Sequence, residues 1–329
     1  MSRLGRVIPS TLQGLTDAVL DKLVVPGYSR LALPLRRRWW PADPPPDVLQ
    51  GRDVVVTGAS SGLGKATAVG VGRLGARVHL VGRTQGRLDD AAAEIREAVP
   101  DTELMAHARD ISDLDEARRL VQALRDHAPH LHALVHCAGV MPPERTTTPQ
   151  GHEAAYATHV LGPQLITWSL RDRLAAADDA RVVIVSSGGM YTQQLQVDDV
   201  EYEQGQYKPA AAYARTKRMQ VVVAELLAER LRGDAAVHSM HPGWAATPGV
   251  TDSLPGFDKL MGPILRTADE GADTIVWLAA SPEATRTTGK FWQDRRPRPT
   301  QFLPWQGETA ADRERLWELV CEATGVGGD

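Results

Sequence analysis

The chain has 329 residues, 43% hydrophobic and 24% charged, the balance of an ordinary folded α/β protein rather than a disordered one. A net charge of −4 offers no basic field for a nucleic acid. Two distant cysteines, Cys137 and Cys321, give no disulfide framework and fit a reducing, cytoplasmic compartment.

No window approaches the ~18 apolar residues of a membrane span, and the N-terminus reads as lacking a signal peptide. Residues 1–48 form an extension. In it Leu12, Leu15, Val19, Leu20 and Leu23 fall at helical spacing as a one-sided stripe. Arg36-Arg37-Arg38-Trp39-Trp40 follows, then a Pro-rich linker over 41–46. The stripe packs on the main domain or a subunit, or lies with the basic-aromatic run on an anionic membrane.

From residue 49 strands and helices alternate. Val54-Val55-Val56 predicts a strand buried on both faces. Leu63, Ala66, Gly70, Val71 and Leu74 predict a helix, with Gly75 placed to stop it. A strand follows over 78–81, a helix over 87–98 and a strand over 103–108. Ser112 with Asp115 resembles a capping box opening a helix to about Arg125. Strands over 131–135 and 181–186 flank a helix over roughly 151–175. A long helix over 213–231, a strand over 237–240, a helix over 267–280 and a strand over 289–292 complete the pattern. The expected fold is a Rossmann-type, doubly wound parallel sheet of about seven strands. It forms a single dinucleotide-binding domain over 49–295, followed by a tail with a helix over 296–329. Ligands in such sheets bind at the carboxyl ends of the strands.

After the first strand, Gly58-Ala59-Ser60-Ser61-Gly62-Leu63-Gly64 sits between strand and helix. Glycine permits the tight turn, and the helix start offers free N–H groups and a positive dipole end to a pyrophosphate. The second strand ends in Gly82-Arg83 with no acid to take the ribose hydroxyls. Arg83 can pair with a 2′-phosphate, so NADP(H) is expected over NAD(H). The alternative is a merely solvated strand-end charge.

Tyr213 and Lys217 stand at i and i+4 on one helical face. A nearby ammonium favours phenolate, so the pair can act as a tuned general acid and base. Ser186-Ser187 ends an apolar strand at the same sheet edge, where a hydroxyl can donate to a carbonyl oxygen as charge develops.

TGASSGLG (57–64), HCAG (136–139), VSS (185–187), YARTK (213–217) and HPGWAAT (241–247) occur in this order. Together they resemble the short-chain dehydrogenase/reductase family over about residues 50–295. VSSGGM, HPGWAATPGV and FWQDR resemble its narrower group of family member 12-like proteins. The resemblance implies that Tyr213 handles the proton, Lys217 holds the nicotinamide ribose and lowers the phenol's pKa, and Ser187 polarises the carbonyl. It places Asp110 and Ile111 near the adenine, Ala138 and Gly139 along the cofactor cleft, and Pro242, Gly243 and Thr247 at the nicotinamide end. Two positions depart from the family: His136-Cys137 replaces a pair of Asn, and His159 stands where a fourth catalytic Asn supports a relay water. His159 could itself shuttle protons.

His132 and His136, about 13 Å apart on a straight strand, cannot share a zinc, and no metal is expected. Asp198, Asp199, Glu201 and Glu203 read as a solvated acidic face. Met190, Tyr191, Trp244, Phe257, Leu260 and Met261 fall in the variable loops and imply a bulky lipophilic carbonyl or alcohol substrate. The rival reading is a catalytically weak dinucleotide-binding sensor or scaffold. A homo-oligomer stays open.

Overall fold

At the centre of the sheet the strands are short, mostly aliphatic runs buried on both faces. The computed structural model describes residues 10–246, 261–302 and 306–328. Its strands are β1 (Asp53–Thr57), β2 (Arg77–Gly82), β3 (Leu104–Ala108), β4 (Leu131–His136), β5 (Arg181–Val185), β6 (Ala236–Met240), β7 (Lys290–Gln293) and β8 (Arg296–Arg298). They form one eight-stranded sheet in the order β3-β2-β1-β4-β5-β6-β7-β8. The first seven are parallel, and β8 pairs antiparallel with β7. The order reverses between β1 and β4, which makes their carboxyl ends the switch point. Val54, Val55 and Val56 are each wholly buried, worth ~1.5–3 kcal/mol apiece in solvent transfer.

One face of the sheet carries α4 (Gly62–Gly72) and α5 (Gln85–Ala98), with α11 (Ala268–Ala280) packed on α4. The other carries α6 (Leu114–His127), α8 (Gly162–Ser169), α10 (Pro209–Arg230) and the tail helix α12 (Ala310–Thr324). Leu316, Trp317 and Val320 of α12 are buried against α8 and α10. Gly75 takes φ +88° beyond the end of α4, as its predicted stop requires.

Four local features differ from the sequence reading. The antiparallel β8 was not foreseen: Asp294 and Arg295 take φ 53° and 55°, turning the chain back along β7. The cap of α6 is Asp113, whose carboxylate accepts from the Asp115 and Glu116 amides, because the Ser112 hydroxyl is engaged by Asp110. The helix predicted over 151–175 is broken into α7 (Ala154–Tyr156), a π turn over Ala157–Leu161, α8, and α9 (Arg171–Ala175). Pro163 removes an N–H at the start of α8, and Gly162 passes so close to α6's approach that a Cβ would lie 2.3 Å from the Ile111 carbonyl oxygen. The helix bearing Tyr213 starts earlier, at Pro209, where proline's fixed φ suits a first turn.

The extension forms α1 (Ser10–Lys22), α2 (Val24–Tyr28) and α3 (Leu33–Arg36). Part of the predicted stripe faces solvent. Asp17 and Asp21 are buried, while Val19 and Leu23 are 57% and 50% exposed. The cause is a buried ion cluster: Asp17 accepts from Arg298 at 2.7 Å and lies 3.0 Å from Arg36, which in turn reaches Asp294 at 2.6 Å. Arg266 closes on Asp294 at 2.6 Å. No helix among the described residues is long and apolar enough to cross a membrane.

Candidate active site

The glycine turn between β1 and α4 folds tightly against the end of β4. Gly58 has φ +69°, and a Cβ there would lie 2.8 Å from the Ala138 Cα. At Gly64 a Cβ would meet the Gly58 carbonyl oxygen at 2.2 Å, so both positions exclude a side chain. Gly62 also takes positive φ. Ser61 caps α4 in extended conformation but gives no side-chain hydrogen bond, so the first-turn amides of Gly62, Leu63 and Gly64 keep their donors for a ligand. Ser60, Ser61 and Leu63 are half-buried around this cradle. Its shape and dipole fit a pyrophosphate.

Arg83 is exposed at the end of β2. The Arg109 amide donates to the Gly82 carbonyl at 2.8 Å, so a second guanidinium-bearing residue stands beside it at the end of β3. Arg109 was not singled out from sequence; its signal was its position one strand over from Arg83. Asp110 Oδ1 accepts from both the Ser112 amide (2.9 Å) and hydroxyl (2.7 Å), fixing the bend that buries Ile111.

Ser187, Tyr213 and Lys217 converge at the carboxyl ends of β4 and β5. The Ser186 hydroxyl donates to the Lys217 carbonyl at 2.8 Å, pinning α10 to the end of β5. Ser187 Oγ accepts from the Gly189 amide at 3.2 Å and shares a hydrogen bond with the Tyr213 phenol. Burial raises the phenol's pKa and the Ser187 bond only partly offsets it, so Tyr213 is a protonated donor at neutral pH. Lys217 is buried, and its Nζ lies 5.3 Å from the Tyr213 ring centre. It donates to the Val185 carbonyl at 3.0 Å and to Gln220 Oε1 at 2.9 Å. Burial pulls its pKa down to about 7. Gly139 borders this group: a Cβ there would lie 3.2 Å from His159 Nε2 and 3.9 Å from Lys217 Nζ.

His159 is held in the π turn with both ring nitrogens engaged. Nε2 accepts from the Val140 amide at 3.0 Å, so the proton sits on Nδ1 and faces Thr216 Oγ1 at 2.7 Å. Burial, with Lys217 nearby, drives its pKa well below the imidazole range. His159 ties the Val140 loop to α10. His136 Nε2 is hydrogen-bonded to Thr167 at 2.9 Å, and burial pushes the Cys137 thiol up to about 12. His132 faces Arg52 and Arg181, and the described residues contain no group of three metal-ligating side chains.

Pro242 and Gly243 follow β6. Gly243 takes φ +80°, and a Cβ there would strike the Arg266 guanidinium. The extension closes this side. The Trp244 amide donates to the Tyr28 carbonyl at 2.7 Å, and the Tyr28 ring stands edge-on to His241, 4.5 Å between centres. A Cβ on Gly188, beside Ser187, would meet Tyr28 Cε2 at 2.7 Å. Sequence reasoning missed Tyr28, for nothing local marks it. Thr247, Phe257 and Leu260 lie outside the described residues. Of the remaining apolar set, Met190 is buried with Val221 and Phe291, and Tyr191 donates to the Pro299 carbonyl at 2.6 Å. These two support the wall, while Trp244 and Met261 stay partly exposed. The acidic stretch is not merely solvated: Asp199 pairs with Arg215 at 3.1 Å, and Glu201 holds His152 at 2.8 Å and the Glu153 amide.

Comparison with known proteins agrees with this geometry. The family described as short chain dehydrogenase matches residues 52–254. Human dehydrogenase/reductase SDR family member 12 is 39% identical over 276 residues, covering 83% of this chain and 86% of its own. Human retinol dehydrogenase 12 is 32% identical over 281 residues, covering 84% and 88%. A short chain dehydrogenase structure from Escherichia coli, complexed with NADPH, superposes with a TM-score of 0.62 at 23% identity, covering 77% of this chain and all of that one.

Proposed function

The chain belongs to the short chain dehydrogenase family of oxidoreductases, and from that premise we propose that it interconverts a carbonyl and an alcohol using NADP(H) in preference to NAD(H). The observation that carries this reading is the gathering of Ser187, Tyr213 and, one helical turn on, Lys217 at the strand ends, beside the start of α4 with no side-chain cap. A nicotinamide dinucleotide would supply or accept the hydride. Gly58, Ser60, Ser61, Gly62, Leu63 and Gly64 would hold its pyrophosphate, with Asp110, Ile111, Ala138, Gly139, Pro242, Gly243 and Thr247 along its length. Arg83 and Arg109 would take a 2′-phosphate, for which planar guanidinium forks are suited. The NADPH bound by the E. coli structure is in keeping with that choice.

In the reduction direction Tyr213 gives its phenol proton to the substrate oxygen. Ser187 donates to the same oxygen, stabilising the charge that develops there. Lys217, once charged, favours the phenolate left behind. His159 positions the Val140 loop.

The substrate reading is a bulky lipophilic carbonyl or alcohol. Partly exposed Trp244 and Met261 support it, as does the retinol named for one relative. NADPH oxidation over a panel of aldehydes and ketones tests the function, with Tyr213→Phe as control. Turnover falling at least ~100-fold in the variant is expected. Tight cofactor binding without turnover, unchanged by that substitution, would favour the sensor or scaffold reading.

A second reading concerns location. Val19, Leu23, Val24, Val25 and Leu31 are half-exposed, and Lys22, Arg30, Arg37 and Arg38 are exposed among and beyond them. This apolar, cation-flanked surface fits the interface of an anionic bilayer, with the protein resting on it rather than spanning it.

A further inference from the structure

Lys217 and the π turn are joined by a side chain that the reaction above does not use. Gln220, one turn after Lys217 on α10, is buried, and its Oε1 accepts from Lys217 Nζ at 2.9 Å. Its amide nitrogen donates to the His159 carbonyl at 2.9 Å. With the Val185 carbonyl at 3.0 Å, two of the three Lys217 N–H bonds are fixed by protein atoms. The bridge between the lysine and the backbone of the π turn is therefore made by an amide. An amide orients an ammonium but is a poor carrier of protons.

We propose that Gln220 is a positioning residue for the reaction: it clamps the Lys217 ammonium to the π turn and leaves one N–H for the phenol and cofactor. The inference rests on the proposed carbonyl–alcohol reading. The groups facing Lys217 from every side are few: Tyr213 on its own helix, His159 from the π turn, Cys137 after β4 and the Val185 carbonyl on β5. No carboxylate among the described residues pairs with the ammonium, and burial already pulls its pKa down to about 7. The Gln220 oxygen thus supplies one of the two hydrogen-bond acceptors that oppose that pull. Gln220 sits beside the buried Met219, Val221, Val222 and Val223, and packing against them needs no amide at this place.

The test has two readouts. In cofactor-free protein carrying 13C-labelled lysine, NMR follows the titration of Lys217. Gln220→Leu removes the acceptor and lowers the midpoint by about one pH unit; Gln220→Glu adds an opposite charge and raises it by about one unit. In the loaded enzyme the basic limb of the kcat/KM profile moves in the same directions. Gln220→Leu loses about tenfold in kcat at neutral pH, with little change in the KM of the carbonyl. Titrations and pH profiles coinciding with wild type in both variants would overturn the proposal. Should Gln220→Leu fail to fold, Gln220→Glu decides by itself. Should the wild type turn over no carbonyl, the functional reading falls, and the cofactor-free titrations still judge the clamp.

Discussion

Arg36 and Asp294 meet at 2.6 Å although 258 residues separate them in the chain, and both side chains are about 2% exposed. Arg36 comes from the extension, Asp294 from the turn between the last two strands. Arg266, at 2.6 Å from the other carboxylate oxygen, comes from just before α11 and contacts the Pro242 carbonyl at 3.1 Å. One carboxylate thereby joins the N-terminal extension, the sheet edge and the segment after β6. Asp294→Ala strips the buried Arg266 of its counter-ion and leaves Arg36 to Asp17 and Asp21, and loss of one partner from such a group typically costs ~3–5 kcal/mol. Calorimetry should show a melting temperature lower by roughly five degrees. An unchanged melt would mean that the cluster is not a fastening.

The same carboxylate sets the acid response. Burial alone would raise its pKa, but Arg266 and Arg36 outweigh burial and hold it down at about 2. Asp17 and Asp53 are also lowered, through Arg298 and through Arg77 and His79. A depressed folded-state pKa contributes stability that is fully present above the unfolded value of ~3.9 and lost as pH falls through the folded one. Melting temperatures measured from pH 6 down to 2 should therefore fall steeply below about pH 4. The fall should be shallower in a variant in which Asp294 is Asn.

Lys217 gives the opposite edge. Its folded pKa, about 7, lies below that of a free lysine at ~10.4, so the unfolded chain binds more protons between those values. Stability from this group must rise with pH across that window, the reverse of a salt-bridged lysine. Lys217→Met keeps the volume and removes the buried amine. It should melt higher than wild type at pH 6–7, converge with it near pH 10, and lose turnover. A variant that melts lower at every pH would show that the amine's hydrogen bonds outweigh its desolvation.

Strands β1 and β5 were legible as β-branched apolar runs and the other parallel strands as short stretches between helical patterns, whereas β8, Arg296–Arg298, carries no such signal. The trio Ser187, Tyr213 and Lys217 was legible because strand-end and i, i+4 positions place side chains without ambiguity. What stayed hidden depends on partners distant in sequence. Val19 faces outward while Arg36 and Arg298 draw Asp17 and Asp21 inward. The π turn at His159 depends on Pro163 and on the approach of Ile111 to Gly162, which a continuous apolar pattern does not announce. Gln220 carried a local signal, an amide amid apolar helix positions three residues after Lys217, but its meaning needed the His159 carbonyl.

Cofactor choice is testable at Arg83 and Arg109. Each offers a guanidinium at the edge where a 2′-phosphate would lie, and Arg83 has no acid beside it at the end of β2. Glu116 lies 3.4 Å from the Arg109 Nε, so that residue is partly committed and Arg83 should dominate. Arg83→Ala should weaken NADPH binding by roughly tenfold or more while leaving NADH nearly unchanged, as expected for loss of a charge-assisted contact. Arg109→Ala should act in the same direction but less. Fluorescence titration of both nucleotides reads the ratio. Equal losses for NADPH and NADH would assign Arg83 to general steering instead of phosphate recognition.

The exposed aliphatic surface of the extension makes the last prediction. Val19 and Leu31 are each 57% exposed, and Leu23, Val24 and Val25 are between 45% and 50% exposed. Isolated apolar residues on a surface are ordinary, but these five are close in sequence and share their stretch with exposed cations. Burying them in a bilayer interface would recover transfer free energy of ~25 cal/mol per Å², and the cations add about 1 kcal/mol each only if the lipids are anionic. Co-sedimentation should thus be strong with vesicles containing phosphatidylserine, weak with phosphatidylcholine alone, and reduced by salt. A Leu23→Asp, Val24→Asp double variant removes apolar area and adds repulsion without touching the buried Asp17 and Asp21. It should abolish sedimentation while leaving turnover of a soluble carbonyl unchanged. Sedimentation surviving that variant would move the contact elsewhere on the surface. Self-association that the variant disrupts, without lipid binding by the wild type, would assign the patch to a second copy of the chain.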